Sequence, residues 1–327
     1  MDFHLHASTT SAETYFRRVQ LAERLGYRGL HIGEGQLDIL NPFQLIAAAR
    51  FVSSEILLGT ATTNIVFRDP TLLAGEAGTA NQMLDGRFWL GIATGDSAAY
   101  QLGRKITRIA EMEEATKTIR TLLSGESIET PVGPVPLRFP VGDTVPPVYF
   151  AVEGPKGQRA AGRVADGVIM GNGFDLDVIE AVQSRVAEGA AEVGRDPADI
   201  DLMAAGIIYV SDDGEDARTR ARRRLANRAH HNFRLTLDSV PEEERPGVQR
   251  FMDNFDVGRP LEDRVDPEFV TEYLVQRFSI AGTPAECIAQ VEKLASIGIT
   301  NFLLTPPEYA WEEVTERWAK EVMPHVG

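Results

Sequence analysis

A hydrophobic run, Trp89-Leu90-Gly91-Ile92-Ala93, passes directly into Thr94-Gly95-Asp96-Ser97. A carboxylate delivered at the end of a buried strand, behind a flexible glycine, can donate or accept a proton. It can equally cap the helix that follows. Local sequence leaves both roles for Asp96 open. Glu34, in the turn Gly33-Glu34-Gly35, raises the same question. His4 and His6 alternate with Phe3 and Leu5, so the two imidazoles share the face opposite those apolar side chains. His6 is the nearer of the two to the strand end. A lone inward histidine commonly serves as a satisfied polar group in a core.

A third constellation is Glu153-Gly154-Pro155-Lys156-Gly157. A Gly-Pro start leaves backbone N–H groups free at a helix N-terminus, where phosphate binds favourably. Lys156 and Arg159 would add positive charge. The alternative is an ordinary strand-to-helix turn. Other chemistries lack their residues. No His, Cys and carboxylate group has metal-ligand spacing. Neither a Gly-x-Ser-x-Gly elbow nor a P-loop is present. The lone Cys287 falls at helical spacing from Val291, which suits core packing. The basic run Arg218 to Arg228, before His230-His231, lacks interleaved aromatics and reads as a solvated helix face.

These residues need elements to position them. Eight apolar runs qualify as strands: Phe3-His4-Leu5, Gly29 to Ile32, Ile56 to Thr62, Phe88 to Ala93, Pro147 to Val152, Gly167 to Met170, Leu202 to Val210 and Asn301 to Leu304. Most are apolar throughout, as strands covered on both faces are. Helical patterns separate them. Thr10-Ser11-Ala12-Glu13 has the form of a capping box, Asn41-Pro42, Asp69-Pro70 and Thr283-Pro284 open helices, and Asp175 to Val193 closes at Gly194. The alternation implies an α/β fold, a (β/α)8 TIM barrel forming one domain over 1–327, with its chemistry just beyond the strand C-termini. There lie His6, Glu34, Asn64, Thr94, Gly95, Asp96, Glu153 and the Gly171-Asn172-Gly173 turn. Ser124 to Pro147 reads as an aperiodic surface excursion. Segment 212–277 is too long for one connection and reads as a helical insertion after strand seven, over the active-site end.

The 327 residues are 43% hydrophobic and 25% charged, with a net charge of −15. Such acidity disfavours nucleic acid and anionic membrane surfaces. No apolar run is long enough to span a bilayer, and no signal peptide is visible. One cysteine excludes an internal disulfide and fits a reducing cytoplasm.

Taken together, the motifs resemble those of the bacterial luciferase-like superfamily. Leu58-Gly59-Thr60-Ala61-Thr62-Thr63-Asn64 with Arg68-Asp69-Pro70 is similar to its third-strand motif. Leu84-Asp85-Gly86-Arg87-Phe88 leading to Gly95-Asp96 is similar to its fourth. Gly154-Pro155-Lys156 through Asp166-Gly167 resembles the fifth-to-sixth strand passage, and Gly282-Thr283-Pro284-Ala285-Glu286 the last helix. Within the superfamily the chain looks most similar to the branch using the deazaflavin coenzyme F420, and there to the methylenetetrahydromethanopterin reductases.

The resemblance implies hydride transfer between F420 and a C=N, C=C or C=O group of a small-molecule substrate, with Asp96 as the acid/base group and Glu34 and His6 as helpers. It implies a non-prolyl cis peptide after strand three, at Ala61-Thr62, against the coenzyme ring. Asn64, Thr94 and Gly95 would line the same side. The phosphate-bearing tail would run toward Glu153, Gly154, Pro155, Lys156, Gly171 and Asn172. A homodimer is carried over from the same likeness. Two departures stand out: Glu34-Gly35 replaces a frequent Asp-His pair, and His6 replaces an acid. An FMN-dependent monooxygenase and a non-catalytic binding member are the alternatives.

Overall fold

The computed structural model describes residues 1–256, 258–259 and 264–327, without the side chains of 96–98, 226–228, 231, 234–236 and 238. Among the described residues, eleven strands lie in chain order: β1 (Asp2–Ala7), β2 (Gly29–Ile32), β3 (Leu57–Asn64), β4 (Phe88–Ala93), β5 (Ser127–Thr130), β6 (Gly133–Pro136), β7 (Val148–Ala151), β8 (Gly167–Met170), β9 (Asp201–Val210), β10 (Ser279–Gly282) and β11 (Asn301–Thr305). Parallel pairing runs β1-β2-β3-β4-β7-β8-β9-β11 and returns from β11 to β1, closing an eight-stranded barrel. All eight runs expected from the sequence supply these staves.

Two parts of the sheet structure differ from expectation. The excursion at 124–147 contains an antiparallel hairpin, β5-β6, outside the barrel. Its strands are four residues each and barely buried, so they carry no apolar period to detect. β10 was not foreseen. Ile207 of β9 pairs with Thr305 on one side and with Ser279 on the other. β10 therefore stands on the edge of β9 that β8 occupies lower down, and β9 is ten residues long because it serves both.

The described residues also form twelve α-helices: α1 (Ala12–Arg24), α2 (Pro42–Ala48), α3 (Pro70–Met83), α4 (Asp96–Gln101), α5 (Ile109–Leu123), α6 (Pro155–Val164), α7 (Leu176–Glu192), α8 (Gly214–Thr236), α9 (Arg245–Asp253), α10 (Glu272–Phe278), α11 (Pro284–Ala295) and α12 (Trp311–Glu321). Local chemistry sets most starts. Asn41, Asp69 and Thr283 each accept hydrogen bonds from first-turn amides, with proline next. At α1 the cap is Ser11, which accepts from Thr14 N; the cap stands one residue later than expected, which puts Thr14 rather than Glu13 at the third position, so the expected box does not form. Segment 212–277 holds α8, α9 and α10, while 257 and 260–263 lie outside the described residues. Arg218, Arg220 and Arg222 on α8 are each paired with a carboxylate, and His230 stacks on Phe255. Arg228 and His231 fall where side chains are not described. Cys287 is buried on α11, its thiol pushed up to about 12 by burial. Among the described residues, no helix is long and apolar enough to cross a membrane.

The barrel interior obeys one packing rule. Three of the bulky inward residues each face a glycine directly across the register: His4 opposite Gly29, Trp89 opposite Gly59, Tyr149 opposite Gly167. A Cβ on any of these glycines would fall inside its partner's ring. The strand pairs thus share one side chain's volume between two positions. Gly59→Ala is expected to lower stability by about 2 kcal/mol or more, from overpacking. Thermal unfolding checks this, and Trp89→Leu in the same chain should return part of the loss.

Candidate active site

The floor of the barrel is built from large side chains. Trp89, Ile169, Met203 and Leu303 pack together, with Tyr149 against them. Beside them, His4 Nδ1 and His31 Nε2 share a hydrogen bond of 2.8 Å, and the Trp89 indole N–H donates to His31 Nδ1. Both imidazoles are buried. Burial, with a smaller contribution from the Arg28 charge, lowers His4 to about 3. Burial and the neighbouring histidines hold His31 well below its ordinary value. Both rings are therefore neutral, and they act as polar packing.

Toward the strand C-termini the inward side chains shrink. Two residues past each floor position come Ala61, Gly91, Ala151, Gly171, Ala205 and Thr305. Ala61, Ala151 and Ala205 still touch the floor cluster. What remains is a shallow, largely apolar bowl with His6 at its rim, where the His6 carbonyl accepts from Trp311 Nε1 at 3.1 Å.

One wall of the bowl is a bulge in β3. Thr60 pairs with Leu90 and Thr63 with Ile92, so Ala61 and Thr62 together oppose the single residue Gly91. The Ala61-Thr62 peptide is cis, at the expected residues but inside β3, which continues to Asn64. A Cβ on Gly91 would overlap the Thr60 carbonyl oxygen. Thr60 Oγ1 clamps the crossing, donating to Gly91 O at 2.9 Å and accepting from Gly91 N at 3.0 Å.

Glu34 supports the bulge from behind. Its backbone N–H donates to Thr62 O at 3.0 Å. Its carboxylate accepts from Thr63 Oγ1, from Arg68 Nη2 at 2.8 Å and from Gln36 Nε2 at 3.1 Å. Arg68 also donates to Glu76 at 2.6 Å and lies over the Phe43 ring, 4.9 Å from its centroid. The Glu34 side chain is 5% exposed. All its oxygens are engaged, so it serves as a fixed anion rather than a mobile base.

The remaining candidates divide between scaffold and opening. Asn64 accepts from Val66 N and Phe67 N, shaping the loop after β3. Gly95 takes a positive φ of 78° and packs on Asn64, where a Cβ would meet the Asn64 side chain at 2.7 Å. The Thr94 carbonyl accepts from Thr107 N. α4 begins at Asp96 itself, with Gly95 in the capping position; the Asp96 side chain lies outside the described residues. On the opposite rim, the Glu153 carbonyl accepts from Gln158 Nε2 at 2.8 Å and Asn172 Nδ2 at 3.0 Å, and Arg277 Nε donates to Asn172 O at 3.2 Å. Gln158 and Arg277 were not foreseen. Arg277 acts across 105 residues, which no local pattern records, whereas Gln158 lies only five residues from Glu153 and gave no motif of its own.

At α6 the N-cap is Gly154, which makes no side-chain cap bond to the first-turn amides. The expected charges are fewer than supposed. Arg159 pairs with Glu188 at 2.7 Å, and Arg68 is shared by two carboxylates. Of those three cations, Lys156 alone is exposed and lacks a carboxylate partner among the described residues.

The luciferase-like monooxygenase profile matches residues 2–301. The chain belongs to that family. Among its relatives, the 5,10-methylenetetrahydromethanopterin reductase of Methanolobus tindarius is 26% identical over 88% of each chain. The F420-dependent glucose-6-phosphate dehydrogenase of Beutenbergia cavernae is 28% identical over 94% of this chain and 91% of its own. The fold matches that of the F420-dependent tetrahydromethanopterin reductase of Methanopyrus kandleri, with a TM-score of 0.76 over 100% of this chain and 99% of that one, at 20% identity.

The neutral floor histidines give the family barrel a measurable pH dependence. In the folded chain His4 stays neutral down to about 3, whereas the unfolded chain takes up that proton near 6.5. Stability contributed by the neutral ring is present above pH 6.5 and is lost as pH falls toward 3, by about 2 kcal/mol at pH 5 for His4 alone. His4→Asn should flatten the fall in Tm between pH 6.5 and 5. An equally steep fall in the variant would remove His4 from this account.

Proposed function

We propose that this chain is an F420-dependent oxidoreductase that moves a hydride between the deazaflavin and a C=N, C=C or C=O group of a small organic substrate. The observation that carries the reading is the β3 bulge at Ala61-Thr62 beside an apolar bowl. Relatives named for F420 chemistry across most of both chains support it. The residues fit such a coenzyme. Gly91 leaves its Cβ volume to the Thr60 carbonyl, the inward alanines and glycines leave room for a flat ring, and the α6 N-terminus offers uncapped amides to a phosphate.

In this reading Ala61, Thr62, Asn64, Thr94 and Gly95 face the ring, and Glu153, Gly154, Pro155, Lys156, Gly171 and Asn172 hold the tail. The coenzyme supplies the hydride; the protein supplies contact, orientation and exclusion of water. Asp96, at the start of α4 just beyond β4, is the acid or base at the reacting group. His6, at the rim, is a neighbour able to share a proton, and Glu34 is the fixed anion behind the bulge. Segment 212–277 would cover the same end, in keeping with the bond from Arg277 on α10 to the Asn172 loop. A homodimer follows from the resemblance alone, and a cytoplasmic location from the single cysteine. A second reading, a reduced-FMN monooxygenase, has in its favour the description of the family that the profile matches.

Fluorescence titration with F420 and with FMN separates the two readings, with F420 expected to bind and FMN not. Asp96→Asn is expected to cut turnover by about 100-fold while coenzyme affinity holds. Unchanged turnover would remove Asp96 from the acid/base role. Lys156→Glu should weaken F420 binding, and the deficit should shrink as salt rises. A deficit independent of salt would count against the phosphate cradle.

A further inference from the structure

Behind the β3 bulge lies a row of charges that the proposed chemistry does not use. It runs from Glu76 on α3, through Arg68, to Glu34 at the end of β2. Arg68 presents two edges. Nε and Nη2 reach the Glu34 carboxylate at 3.1 and 2.8 Å, and Nη1 reaches Glu76 Oε1 at 2.6 Å. The Arg68 side chain is 10% exposed, that of Glu34 5% and that of Glu76 23%. Glu76 Oε2 is buried without a hydrogen-bond partner among the described residues. The row thus holds two carboxylates against one cation in a largely desolvated place. Such an arrangement is costly unless its geometry is put to use.

The far end of the row shows that use. Glu34 is tied to both halves of the bulge, through its amide to Thr62 O and through its carboxylate to Thr63 Oγ1. With Nη1 held by Glu76 and its face on Phe43, Arg68 is left one orientation, which points the paired Nε and Nη2 donors at Glu34. A planar fork fixed at one prong fixes its other edge.

We propose that Arg68 and Glu76 are positioning residues for the coenzyme-facing bulge, with Glu76 orienting Arg68 so that Arg68 holds Glu34 against Thr62 and Thr63. Glu76 matters here as a hydrogen-bond acceptor, not as a charge. Burial raises its carboxyl above the ordinary range, which agrees with a site that does not favour a second anion. Lysine at position 68 would supply charge without the two-edged geometry.

The link to the coenzyme rests on the function proposed above, so two readouts are needed. The first requires no coenzyme: hydrogen–deuterium exchange of peptides spanning 28–40 and 57–67 in the full chain. Arg68→Lys and Glu76→Ala should speed exchange there by at least fivefold, while peptides from β11 and α12 exchange as in the wild type. Glu76→Gln, which keeps the acceptor, should recover most of the protection. Unchanged exchange in Arg68→Lys, or Gln behaving as Ala, overturns the positioning role. The second readout is F420 affinity by fluorescence, expected to fall about tenfold in Arg68→Lys and Glu76→Ala and to recover in Glu76→Gln. Loosened exchange with wild-type affinity would overturn the link to the coenzyme site. Loosened exchange in a chain whose wild type binds no F420 would instead overturn the proposed function and leave the positioning role standing.

Discussion

The architecture of the site depends on one close approach. The Thr60 carbonyl occupies the space where residue 91 would carry its Cβ, so β3 can bulge toward the barrel axis only because that residue is glycine. The Thr60 hydroxyl then closes both of Gly91's backbone groups into hydrogen bonds. From that point the Ala61-Thr62 segment projects into a bowl whose other walls are alanine, glycine and threonine. The same rule governs the floor, where His4, Trp89 and Tyr149 each fill the volume a facing glycine gives up. Large below and small above is what makes a closed barrel into a seat for a flat ligand.

Polar groups around the bowl serve two distinct ends. On the β7–β8 side, Glu153, Gln158, Asn172 and Arg277 tie carbonyl groups of adjacent strand ends together, mostly through neutral bonds. On the β2–β3 side the ties are ionic and run outward to α3. Neutral ties tolerate burial at little cost, while the ionic row remains only as long as every member keeps its place. The β3 wall is therefore the more specified of the two.

Much of this was legible in the sequence, for identifiable reasons. The barrel staves are continuous apolar runs because helices cover them outside and side chains fill them inside, so they stand out against the helical periods between them. The cis peptide position followed from the family resemblance that the Thr60-Ala61-Thr62-Thr63-Asn64 motif carries. β10 escaped notice because Ser279–Gly282 borrows its partner from the far end of β9, leaving only β9's unusual length as a trace. Glu34 read as a free acid because its partner Arg68 stands in another loop and Glu76 in another helix. Arg159 read as a free cation for the same reason, its neutralising Glu188 being on α7. Spacing along the chain reports which face a residue shares; it does not report who answers it across the fold.

That last point bears on how a chain of net charge −15 holds an anion at all. Fields from scattered surface carboxylates decay over about 8 Å at physiological ionic strength, and most of the cations near the site are already spent on internal pairs. Backbone amides are different: they carry no charge for a neighbouring carboxylate to neutralise, and at the α6 N-terminus the Gly154 N-cap has no side chain to compete for them. They act at contact distance, where screening is weakest. An anionic tail seated there would owe its orientation to the amides and its sensitivity to salt to Lys156. The acidic surface beyond would then select against anions that reach the mouth without the shape to enter the cradle.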